Sequence, residues 1–204
     1  MDSWLSQDLI ARCVDGTLEY VDYGTFMSGS FWIGVDLGKH QDYSVVAVLS
    51  KAEDGVLSLI HLKRFPLETA YASIIGYLKG LCDTFKTVNS ILIDQTGVGE
   101  YVVEDSVNAD LPAQGATLTV QVKEQIMTYL KTVMERGMLK LPYDRQLLHE
   151  MNIEKYELSK SGHIMFTHPS DTHDDMLWAL ALAVYASRFQ PIQAWKGRKI
   201  LSRL

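Results

Sequence analysis

Three apolar runs follow one another with almost nothing between them: "FWIGVDLG" (31–38), "YSVVAVLS" (43–50) and "VLSLIHLKRF" (56–65). Parallel neighbours need a crossover of a dozen or more residues, so strands this close in sequence pair antiparallel. Asp54-Gly55, in the second connection, is a hairpin turn signal. An antiparallel three-strand meander is therefore the tightest constraint on the fold. Helix and strand patterns alternate after it. Apolar residues at helical spacing, as in Ile74, Tyr77, Leu78 and Leu81, mark a helix within 67–86. "SILIDQTGVGE" (90–100) reads as a buried strand entering a Gly-rich turn, with a helix through Val107.

"TLTVQV" (117–122) reads as a fifth strand, and "KEQIMTYLKTVMERG" (123–137) as an amphipathic helix closed by Gly137. "YDRQLLHEMNIEKY" precedes a hairpin around Ser161-Gly162, and "THPSDTHDDMLWALALAVYA" (167–186) reads as a final helix, apolar almost all round. The expected fold class is α/β: a ribonuclease-H-like mixed sheet, the meander plus parallel strands, flanked by helices. The 204 residues, 47% hydrophobic and 22% charged, suit one globular core. Residues 1–30 read as a lead-in or linker, 31–190 as the domain, and 191–204 as a basic C-terminal tail. The N-terminus lacks a signal-peptide pattern, and no apolar run is long enough to span a membrane. Cys13 and Cys82 fit free thiols. A net charge of −6 argues against a non-specific nucleic-acid coat protein.

Acids sit where the fold would bring them together. Asp36 ends the first meander strand and Asp94 ends the fourth, each at the carboxyl end of an apolar run before a glycine-containing turn. In a ribonuclease-H-like sheet these two strands are parallel neighbours, so both carboxylates emerge at one edge. The last helix could deliver Asp174 or Asp175 to the same place. Acids at a helix start are favoured by the macrodipole, and Thr172 with Asp175 has capping-box spacing. That spacing gives Asp175 a capping role and makes Asp174 the better direct ligand. Converging carboxylates repel, and a divalent cation removes the penalty. Oxygen ligands without a Cys or His cluster favour magnesium or manganese, and two such ions would suit phosphodiester hydrolysis.

"GVDLGKHQDYSVVAVL", "ILIDQTGVGE", "KEQIMTYLKTVMERGMLKLP" and "HDDMLWALALAVYA" together resemble the nuclease domain of viral (phage) terminase large subunits, from about Trp32 to Arg188. The resemblance implies a metal-dependent endonuclease that cleaves double-stranded DNA during genome packaging. It implies Asp36, Asp94 and one or both of Asp174 and Asp175 as catalytic metal ligands for magnesium or manganese. Asp42 matches a further acid of that family. The implied partners are double-stranded DNA, the terminase ATPase motor domain, the small terminase subunit and the portal protein, with the host-cell cytoplasm as location. No phosphate loop of the G-x-x-x-x-G-K-[ST] type occurs, so the chain reads as the nuclease half alone.

Other readings stay open at this stage. Sugar kinases and actin-like ATPases also place an acid after the first strand and a D-x-x-G turn later, though the His-Asp-Asp helix has no role in them. A resolvase-like nuclease of branched DNA would share fold and metals, and a docking domain could keep the fold without chemistry. Lys123, Lys131 and Arg136, on or near one helix face, are candidate DNA-backbone contacts. His40, His168 and His173 are candidate proton carriers.

Overall fold

The computed structural model describes residues 2–38, 40–97 and 100–188. It opens with β1 (Asp2–Ser3) and α1 (Gln7–Cys13), the latter capped by the Ser6 hydroxyl, which accepts from Leu9 N–H. The meander follows as β2 (Phe31–Asp36), β3 (Val45–Lys51) and β4 (Leu57–Arg64), antiparallel throughout. Then come α2 (Tyr71–Thr84), β5 (Val88–Asp94), α3 (Tyr101–Asn108), β6 (Ala113–Ala116) and α4 (Val120–Glu135). The chain continues through β7 (Leu139–Lys140), α5 (Arg145–Ile153), β8 (Lys155–Leu158), β9 (Ile164–Thr167) and α6 (Asp175–Ala186).

Six strands form one mixed sheet in the order β6-β5-β2-β3-β4-β7, and β5 runs parallel to both β2 and β6. Alternation along β2 sends Phe31, Ile33 and Val35 to one face and Trp32 to the other. The first face is covered by α2 through Ile74, Leu78 and Leu81. The second carries α6, α4, α1 and α5. All of α6 is buried except Tyr185. Its fully buried leucines, Leu177, Leu180 and Leu182, each contribute on the order of 1.5–3 kcal/mol. Gly34 makes this seating possible, because a Cβ there would collide with the Ala179 carbonyl and the Ala183 nitrogen.

Three local expectations are corrected. Residues 117–122 are not a strand: β6 lies earlier, in "AQGA", and Thr119 caps α4 by accepting from Val122 N–H at 3.3 Å. The β-branched alternation of that stretch imitated a strand, whereas the true edge strand is too short and too small-residued to show. The final helix begins only at Asp175, whereas the hairpin expected around Ser161-Gly162 is present as β8–β9 and takes Thr167 as its last strand residue. Finally, the first part of the lead-in segment belongs to the packed core. Trp4, Leu5, Leu9, Ile10 and Cys13 are buried, and β1 pairs with β8 in a separate three-stranded sheet. The basic tail from residue 191 lies outside the described residues.

Candidate active site

Val35 stands beside Ile93 in the parallel β2–β5 pairing, so the next step along both strands brings Asp36 alongside Asp94. Trp32 and Leu92 face α6, and alternation puts Asp36 and Asp94 on that same face. Beyond Asp36 the chain turns back sharply. A Cβ at Gly38 would collide with the Asp42 backbone, so only glycine lets the loop close. Ser44 staples the turn: its hydroxyl donates to the Gly38 carbonyl at 2.9 Å and accepts from Gly38 N–H at 3.2 Å. Asp42 is thereby carried to the mouth of the cavity that Asp36 lines. Asp94 does not cap a helix; its Oδ1 accepts from Thr96 N–H at 2.8 Å in a local turn.

The start of α6 is built differently from its expected capping box. Thr172 donates its hydroxyl to the Pro169 carbonyl, and Asp174, the N-cap residue, makes no side-chain cap bond. The orphan N–H groups of Met176 and Leu177 instead donate to Glu150 Oε2 on α5, at 2.8 and 3.2 Å. Both acids of the pair are therefore free of capping duty. Asp175, 4% exposed, accepts from Tyr43 N–H at 3.2 Å. Asp174 Oδ2 accepts from the Trp178 indole N–H at 2.7 Å, and its Oδ1 lies 3.5 Å from His168 Nε2. His173 Nδ1 lies 3.6 Å from Asp175 Oδ2, with its ring edge-on to Tyr43.

Asp36, Asp42, Asp94, Asp174 and Asp175 all line one polar cavity of about 380 Å³, together with Thr96, Lys123, His168 and Trp178. A larger, mainly apolar groove between α1 and α5 is lined by none of these acids. Burial pushes the Asp36 carboxyl well above its ordinary range, and Asp175, Asp94 and Asp174 push it further, with Lys123 opposing. Burial likewise raises Asp94, against the hydrogen bonds from Thr96 and the charge of Lys123. Asp175 is pushed up to about 6, first by burial and then by Asp174 and Asp42, while Tyr43 N–H and His173 pull it down. Among the described residues, no three acid, histidine or cysteine side chains stand as a closed set of metal ligands. The donor chemistry nevertheless fits a hard cation: carboxylate oxygens from three elements, mutually repelling and opposed by one lysine.

The terminase RNaseH-like domain model matches residues 33–186, three quarters of the sequence. The chain belongs to that family. It is 30% identical over 159 residues to the terminase large subunits of Thermus virus P23-45 and Thermus phage G20c. That stretch covers 75% of this chain but 31% of either relative, so the chain spans about a third of their length. Among solved structures, the large terminase nuclease from thermophilic phage G20c superposes with a TM-score of 0.75 at 26% identity, covering 93% of this chain and all of that one. The same nuclease with bound magnesium gives 0.74 at 26% identity, covering 91% and 97%.

Around the acids, this terminase RNaseH-like domain places the other candidates unequally. Lys123, one turn into α4, lines the cavity with its Nζ 5.0 Å from the Trp178 ring centroid. Lys131, about two turns further along α4, lies over the Trp4 ring and donates its ammonium to the Trp4 carbonyl at 2.9 Å, and it does not line the cavity. Arg136 caps the far end of α4, about 20 Å from Lys123 by helical rise. His40 pairs with Glu68 and does not line the cavity. Sequence reasoning passed over Glu150 and Glu154, which are 2% and 0% exposed. Burial pushes each of their carboxyls up to about 8. Their signal was present: Leu147, Glu150, Met151 and Glu154 recur at i, i+3, i+4 and i+7, the spacing of a buried helix face.

Proposed function

We propose that this chain is a metal-dependent endonuclease that cleaves double-stranded DNA during viral genome packaging, as the nuclease domain of a terminase large subunit. One observation carries the reading: acids from β2, β5 and α6 share one polar cavity, where the others raise the proton affinity of Asp36. Asp36, Asp94 and Asp175 are the inner ligands in this reading, for magnesium or manganese. Two such ions, when bound, would activate a water and stabilise the leaving oxygen of the phosphodiester. Tyr43 N–H fixes the Asp175 carboxylate, and the Trp178 indole fixes that of Asp174 at the cavity wall. Asp42, at the mouth, orients from outside. Lys123 meets the DNA backbone where the cavity opens; Lys131 and Arg136, which do not line the cavity, would touch it only as outlying contacts.

In this reading the nuclease unit is residues 31–190 together with the packed N-terminal segment through Cys13, and 191–204 is a basic tail. The ATPase motor domain, the small terminase subunit and the portal protein are the partners, in the host-cell cytoplasm. The test is cleavage of plasmid DNA by the purified chain with manganese, with and without chelator. Linear or nicked product that vanishes with chelator and in Asp36→Asn supports the reading. An inert wild-type protein overturns it, and strong preference for a four-way junction over plasmid would indicate a resolvase-like enzyme.

A further inference from the structure

The row that starts with Asp94 and Asp36 at the end of the sheet continues to Arg64, the last residue of β4. Asp36 pairs with Val45, and Val45 with Arg64, so the three side chains leave the sheet on one face. Two inter-strand steps of roughly 4.8 Å put the Arg64 backbone about 10 Å from that of Asp36. The Arg64 guanidinium lies 4.3 Å from the centroid of the Tyr43 ring, and Tyr43 is the residue whose N–H holds Asp175. On the other flank, Lys123 lies over Trp178, whose indole holds Asp174. Each acid of α6 is thus held by an aromatic residue, and each aromatic residue carries a cation. Among the described residues neither cation pairs with a carboxylate.

We propose that Arg64 and Lys123 are paired phosphate contacts on opposite flanks of the acid cavity, so that one DNA strand runs from Arg64 across the acids to Lys123. The proposal rests on the nuclease reading above and adds to it a direction for the strand and a residue, Arg64. An acidic cavity in a chain of net charge −6 repels phosphate, and flanking cations offset that repulsion where the backbone enters and leaves. Stacking on Tyr43 holds the planar guanidinium while leaving its edge donors to a phosphate. A purely internal role, neutralising the acids, suits Lys123, whose charge acts on Asp36 and Asp94. It does not suit Arg64, whose guanidinium stacks on Tyr43 and does not line the acid cavity.

The experiment measures binding of a labelled DNA duplex to the full chain in chelator, across a salt series, with plasmid cleavage in manganese run alongside. Arg64→Ala should weaken binding several-fold and flatten the plot of log affinity against log salt by about 0.9, one phosphate's counterion release. Lys123→Ala should do the same, and the double variant should lose about 1.8. Arg64→Lys should keep the slope, and Arg64→Gln should lose it while keeping a polar, uncharged side chain; thermal melts identify which variants are folded. Lys140→Ala, whose ammonium pairs with Asp15 away from the cavity, should leave the slope unchanged. Folded Arg64→Ala and Arg64→Gln proteins with the wild-type slope would overturn the track, even if the wild type cuts DNA. A wild type that binds with the expected variant slopes but never cuts would leave the track and remove the nuclease reading. A wild type that does not bind DNA overturns both.

Discussion

Glu150 accepts the backbone N–H of Met176 at 2.8 Å, and through this bond a buried side chain of α5 caps the first turn of α6. The cap comes from another helix, and the two acids at the α6 start are therefore left to face the cavity. Glu150→Ala strands two buried N–H groups and should destabilise the protein by about 1–3 kcal/mol. Loss of orientation of Asp174 and Asp175 should also weaken manganese binding by about 10–100-fold. Glu150→Gln retains a carbonyl acceptor and should recover most of both. Urea denaturation and manganese calorimetry on the two variants measure these effects separately.

Glu150 and Glu154 make the metal-free protein pH-sensitive. Burial raises both carboxyls to about 8, so between the ordinary carboxylate range, about pH 4.3, and pH 8 the folded chain binds more protons than the unfolded one. Their contribution is fully present below that window and is lost as pH rises through it. The melting temperature in chelator should fall across the window. Both Glu154 oxygens lack hydrogen-bond partners among the described residues, so Glu154→Gln should melt higher than wild type at pH 8 and show a shallower decline. An unchanged decline in Glu154→Gln would remove Glu154 from this account.

Asp36→Asn should lower manganese-dependent plasmid cleavage by more than about 100-fold, beyond the loss usual for outer-sphere partners. In chelator the same variant should melt higher than wild type, because one member of a repelling set is gone. Manganese should raise the wild-type melting temperature and leave that of Asp36→Asn almost unmoved. For a site filled to a hundred times its dissociation constant, the wild-type gain is about 2.7 kcal/mol.

The two adjacent acids should separate in the same titration. Asp175 is the foremost charge acting on Asp36, whereas both oxygens of Asp174 are occupied by or close to Trp178 and His168. Asp175→Asn should abolish manganese binding, and Asp174→Asn should weaken it by about 10–100-fold, as loss of an outer partner does. The reverse order would make Asp174 the inner ligand.

Asp36 and Asp94 were legible in the sequence because each closes an apolar run, and runs that long fix both strand identity and the end at which a side chain emerges. The spacing of Thr172 and Asp175 misled, because a capping box is a local pattern and the actual cap comes from Glu150, 26 residues away. Tyr43 acts through its backbone N–H, which leaves no trace in residue type. Arg64 acquires its place only through the register of β4 on β3, which includes a bulge at Val48/Leu49 that no sequence pattern announces. Lys123 was found as part of a basic face, and the helix separated it from Lys131 and Arg136 once α4 was anchored at Trp4.

Gly34 lies two residues before Asp36, against the backbone of Ala179 and Ala183, four and eight residues beyond Asp175. Strand and helix meet there main chain to main chain, with no side chain between them to act as a compressible spacer. The gap between the acid on β2 and the acids on α6 is consequently gauged from behind, like the jaws of a calliper locked at its pivot. Side-chain repacking elsewhere in the core cannot readjust that gauge; a methyl group inserted at the pivot would open it.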